Sequence, residues 1–190
     1  MFIFLIAIVG IYGLFYAAVT TVLMPMDAGA FKAELNTVEV PVNNASSIAE
    51  LESAAADMER TSALSYISQK ERTEVANSMR MGNTIPMVFI NQNMVEYDTS
   101  YRNRIWAYDL VLRGDISSQM KNISSTHEEI SRLNNETEVI NQKLYTDFEK
   151  GDSKAYAEDL RKVAHNLRQY NIAMEKLKTQ LQNVTSQLEQ

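Results

Sequence analysis

From Tyr156 onward, apolar residues recur in a strict four-three rhythm: Tyr156, Leu160, Val163, Leu167, Tyr170, Met174, Leu177, Leu181, Val184 and Leu188. Every position of this seam is apolar or aromatic, an outcome chance would give about once in three thousand trials at one fixed register. Such a heptad seam predicts a long helix that buries a narrow face against another helix. The segment before it supplies the partner. Ile116, Met120, Ile123, His127 and Ile130 keep the same spacing, and Leu133, Thr137, Ile140, Leu144 and Phe148 continue it after a phase shift of the kind a stammer produces. The link between the two patterns is short, which forces neighbouring helices to run antiparallel. Residues 115–190 are therefore expected to form an antiparallel coiled-coil hairpin. Its turn falls at Gly151, Asp152 and Ser153: glycine tolerates the left-handed position that ends a helix, and Asp or Ser caps the next one.

A different pattern opens the chain. Residues 1–24 contain no charged side chain, and a helix of that length, about 36 Å, exceeds the hydrocarbon thickness of a bilayer. A single transmembrane anchor is expected, closed by Pro25 and Asp27. A cleavable signal peptide is the rival, because Ala28-Gly29-Ala30 has the small-x-small form of a cleavage site. The lack of a basic segment before the apolar run, and the length of that run, favour a retained anchor. Ala7, Gly10, Gly13, Ala17 and Thr21 step by three or four, so one face carries small side chains on which another membrane helix could pack.

Between these segments the pattern is weaker. Residues 25–46 read as a connector, with β character at Thr37–Val42 and a turn after Pro41. Ser47 and Glu50 have the spacing of a capping box, so one long helix is expected over 47–81, with Ile48, Leu51, Ala55 and Met58 on one face. Residues 82–114 form a mixed segment. Within it, Val88-Phe89-Ile90 and Met94–Tyr97 suit a small β-hairpin, and Ile105, Tyr108 and Leu112 suit a short helix. The fold class expected is thus mostly α: a transmembrane helix, then an extended helical body ending in the long hairpin.

Composition narrows the function. The chain of 190 residues carries a formal charge of −6, with 24 acids against 18 bases, whereas a duplex-binding protein presents a basic stripe to phosphates. Nucleic acid is therefore not an expected partner. The absence of cysteine excludes disulfides, thiolate metal sites and cysteine nucleophiles. His127 and His165 lack an i+4 repeat, and the Met24/Met26 and Met79/Met81 pairs are ordinary packing residues before they are soft-metal ligands. Neither metal nor other cofactor is expected. No phosphate-binding glycine loop, nucleophile elbow or zinc-protease motif occurs, so no catalytic residues are assigned and no enzyme is expected.

Tyr97, Tyr101, Arg102, Arg104, Trp106, Tyr108 and Arg113 interleave rings and bases. They suit a membrane interface, a protein-binding surface, or simply the cover of a helical core. Arg113-Gly114-Asp115 and Lys150-Gly151-Asp152 resemble adhesion tripeptides, but each also falls where one helical pattern stops and another starts. Positive charge is sparse after the apolar run, which favours translocation of the body. The sequons at Asn44, Asn122, Asn135 and Asn183 agree with an extracytoplasmic body.

These features point to a non-enzymatic structural, scaffold or accessory subunit of a membrane or cell-envelope assembly. It would be held by one helix and would bind other envelope subunits, or copies of itself, through its helical body. The alternatives are an extracytoplasmic helical sensor module and a pilin-like filament subunit. The sensor lacks a cytoplasmic domain, and the filament subunit would have a basic leader.

Overall fold

The computed structural model describes residues 2–38, 44–82, 99–112 and 115–189, and every regular element among them is helical. The elements are α1 (Phe2–Ala18), a π-helical turn (Val19–Leu23), α2 (Met24–Thr37), α3 (Asn44–Thr61), a 3-10 turn (Ala63–Tyr66), α4 (Gln69–Gly82), α5 (Thr99–Leu112), α6 (Asp115–Lys150) and α7 (Ser153–Leu188). The β-hairpin expected around residues 88–97 lies outside the described residues, as do Arg113 and Gly114.

The chain divides into two compact units. The first comprises residues 1–39, 91–128 and 175–190, and the second comprises 40–90 and 129–174. In the first, α1 does not stop at Pro25. The helix passes through the π turn and continues as α2 to Thr37. Proline lacks an N–H and its ring collides with the carbonyl four residues back, so it breaks a regular α-helix. Here the preceding turn is already widened, with the Met24 N–H donating to the Val19 carbonyl. A π turn of this kind accommodates the ring at the start of the next α segment. Thr21 Oγ1 donates to the Ala17 carbonyl, just before the π turn, at 2.7 Å. Among the described residues this is one helix long and apolar enough to cross a membrane; its apolar stretch has a mean hydropathy of 1.6 and is almost entirely uncovered by the rest of the chain.

The second unit holds the hairpin turn. Asp152 N–H donates to the Asp147 carbonyl and Gly151 N–H to the Phe148 carbonyl, both at 3.0 Å. These two bonds form a Schellman cap. Gly151 takes φ +79°, and Asp152 Oδ1 then accepts from the Ala155 N–H at 2.9 Å, capping α7. Past the turn the helices pair antiparallel: Phe148 meets Tyr156 edge to face, Lys143 bonds Asp159, and Thr137 bonds Asn166. In the first unit, Thr126 Oγ1 donates to Gln180 Oε1 at 2.9 Å in the same antiparallel sense. All ten α7 seam residues are buried, as are Ile116, Met120, Ile123, His127 and Ile130 of α6.

The 47–81 segment differs from expectation. It is two helices, broken where Ser62 adopts the left-handed region at φ 48° and the 3-10 turn follows. The first of them starts at Asn44, so Ser47 and Glu50 lie inside α3 rather than at its cap. The break lets α3 run along α7, where Glu59 pairs with Arg161 and Glu52 with Arg168 at 2.5 Å. It also lets α4 approach the end of α6, where Arg80 reaches Glu149 at 3.1 Å. Ile48, Leu51 and Ala55 are buried as the periodicity predicts, and on α4 Ala76 is buried.

Candidate functional site

Because α2 continues the apolar helix, Asp27, Phe31 and Glu34 fall at i, i+4 and i+7 on one face. That face is turned inward, with relative exposures of 2%, 1% and 1%. Asp27 meets α5: Tyr108 donates its hydroxyl to Asp27 Oδ2 at 2.9 Å, and Arg104 Nε lies 3.0 Å from Oδ1. Burial first, and the Asp27 carboxylate second, push the Tyr108 phenol far above its ordinary range, so it remains a neutral donor. Phe31 packs edge to face on Tyr101, whose hydroxyl donates to the Met120 carbonyl at 3.0 Å. One turn on, Glu34 Oε1 lies 2.8 Å from His127 Nε2 of α6. Two carboxylates on a single face are thus each held by a cationic or protonatable partner from a different helix. Buried charges persist only when paired in this way, and the pairing fixes α2 to both α5 and α6.

A second polar cluster secures the hairpin turn. Arg72 of α4 donates to the Glu149 carbonyl at 3.1 Å and the Leu64 carbonyl at 3.0 Å, and also to the Ile67 carbonyl. It thereby supplies donors to carbonyls at the ends of α6 and the 3-10 turn. Leu64 N–H donates to Ser153 Oγ at 3.1 Å. The cluster explains why Gly151 has no room for a side chain, since a Cβ there would sit 2.8 Å from the Arg72 guanidinium carbon.

The same unit carries a groove of about 690 Å³ between α6 and α7, lined by apolar Val139 and Ile140 and by charged Glu136, Glu158, Arg161 and Lys162. His165 lies in this groove, and His127 lies beside Glu34, so the two histidines have unrelated surroundings. Among the described residues no three His, Asp or Glu side chains gather as a metal site. Met26 and Met81 are exposed, Met24 and Met79 half-buried.

The small-residue face of the anchor is open. Gly10, Gly13, Ala17 and Thr21 are exposed, and a Cβ built on either glycine meets nothing within 4 Å; Ala7 belongs to the same helix. Of the sequon asparagines, Asn122, Asn135 and Asn183 are exposed on helices, and Asn44 begins α3. The aromatic–basic segment separates into two faces: Tyr101 and Tyr108 are buried, while Arg102 and Trp106 are exposed. Asp27, Glu34 and Arg72 are the residues that sequence reasoning missed. The i, i+4, i+7 spacing of Asp27, Phe31 and Glu34 was a usable signal, hidden by reading Pro25 as a stop.

Among the described residues the fold is that of a helical protein with one helix suited to cross a membrane, its continuation held to neighbouring helices by the buried Asp27–Arg104 pair and the Glu34–His127 contact. No family model, curated protein or solved structure matches the chain.

Proposed function

We propose that the protein is a non-enzymatic structural or accessory subunit of a membrane or cell-envelope assembly, anchored by α1, with its body outside the cytoplasm. The observation that carries this reading is the continuity of the apolar helix with α2, whose buried Asp27 and Glu34 are bolted to α5 and α6. A tethered catalytic domain needs only a loose linker, whereas a positional element gains from a rigid junction between membrane and body. The open small-residue face gives the anchor a surface for another membrane helix. On the body, the hairpin groove is lined by Val139 and Ile140 together with charged side chains, a mixture that protein interfaces also carry. Gentle detergent extraction followed by intact-complex mass spectrometry tests the reading. Co-purifying subunits, or a defined oligomer, are expected, and Val139→Glu should lower their yield. A monomer with no associated chain would overturn it.

A further inference from the structure

The exposed side of α5 carries a graded stripe. Arg102, Trp106 and Leu110 follow one another at i, i+4 and i+8, and all three are exposed, Trp106 at 60% and Leu110 at 48%. The opposite face of the same helix is sealed, with Tyr101, Ile105 and Tyr108 buried, so α5 presents its exposed large side chains on one side. The stripe is joined to the apolar anchor. Trp106 packs edge to face on Phe15, with ring centroids 6.3 Å apart, while Tyr101 packs on Phe31. Passing along α5 from Tyr101 to Trp106 therefore means passing along the anchor helix toward its uncharged end. Guanidinium, indole and isobutyl groups succeed one another in that direction. This is the order of a bilayer surface, where Arg suits the phosphate layer, Trp the interface and Leu the acyl chains.

We propose that α5 is a second membrane-contacting element, seated in the headgroup-to-acyl boundary of the lipid beside the anchor through Arg102, Trp106 and Leu110. The proposal rests on the reading of α1 as a membrane span. Asp109, the acidic residue next to the stripe, does not oppose it. Its carboxylate accepts from Ser117 and pairs with Lys121 at 3.0 Å, so its charge is held toward α6. In this arrangement the protein meets the bilayer with a span and a surface helix together, and the surface helix fixes how the body is tilted on the membrane. A single span leaves that rotation free.

Trp106 is the chain's sole tryptophan, so its fluorescence reports this position without ambiguity. The full-length chain is reconstituted into phosphatidylcholine–phosphatidylglycerol vesicles and floated on a density gradient. The expected result is flotation, with Trp106 emission quenched by about half when the lipids are brominated near the headgroup end of their acyl chains, and with iodide quenching strongly reduced. Leu110→Lys should weaken the lipid quenching while the chain still floats. Flotation with Trp106 open to iodide and indifferent to brominated lipid would overturn the proposal and leave the anchor in place. Protection from iodide without lipid quenching would put a second copy of the chain over the stripe and would equally overturn it. Loss of flotation would overturn the anchor reading and this proposal with it.

Discussion

Glu34 and His127 are each almost fully buried and face one another across 2.8 Å. Removing one member of such a pair leaves the other desolvated without compensation, a cost of about 3–5 kcal/mol, whereas replacing both by apolar side chains is often close to neutral. Glu34→Leu and His127→Leu are each expected to lower the denaturation midpoint in detergent, and the double variant to recover most of that loss. A double-mutant cycle with strictly additive effects would show that the pair is uncoupled. The same reasoning distinguishes the glycines. Gly151 combines a left-handed backbone with a guanidinium carbon 2.8 Å from its absent Cβ. Gly151→Val should destabilise by about 2 kcal/mol, since the left-handed region alone costs a branched residue about 1–2. Gly151→Asn should cost less, and unchanged stability in the valine variant would refute the turn's role. His127 was legible only as an apolar-seam exception; its partner Glu34 was not, because nothing local to residue 34 says which way its helix faces.

At the scale of elements, the hairpin's register is specified by polar residues as well as by its apolar seam. Asp159 is fully buried on α7 and receives hydrogen bonds from Lys143 at 2.6 Å and Lys162 at 2.9 Å. Burial acts to raise its pKa, but the two lysine hydrogen bonds and their charges outweigh it, and the carboxyl is held below the usual aspartate value of 3.8. A group whose folded pKa is depressed contributes stability above its unfolded pKa and loses it as pH falls through the folded one. Acid titration followed by circular dichroism should therefore show a loss of stability below about pH 4 that Asp159→Asn diminishes. The heptad spacing announced α6 and α7 because a buried stripe repeats in one dimension. The break at Ser62 was not announced, since a serine in the left-handed region is chosen by the packing of α3 and α4 and not by its own preference. Arg72 escaped for a related reason: the carbonyl it caps belongs to Glu149, 77 residues away.

For the molecule as a whole, function depends on which side of the membrane the body occupies, and the cysteine-free sequence makes that measurable. Asn183 is exposed on α7, so Asn183→Cys offers a unique thiol. In intact cells a membrane-impermeant maleimide is expected to label it fully, and labelling only after lysis would place the body in the cytoplasm. The amino-acid sequence by itself determined the apolar helix, the two long helices and their turn. Those features follow from side-chain periodicity, hydropathy and the backbone freedom of glycine, all of which act over a few residues. Only the tertiary structure decided that the anchor runs on through Pro25, that Asp27 and Glu34 are interior groups, and that Arg72 closes the hairpin turn. A charged residue reads as solvated until a second helix supplies its counter-charge, and that helix is brought to it only by folding.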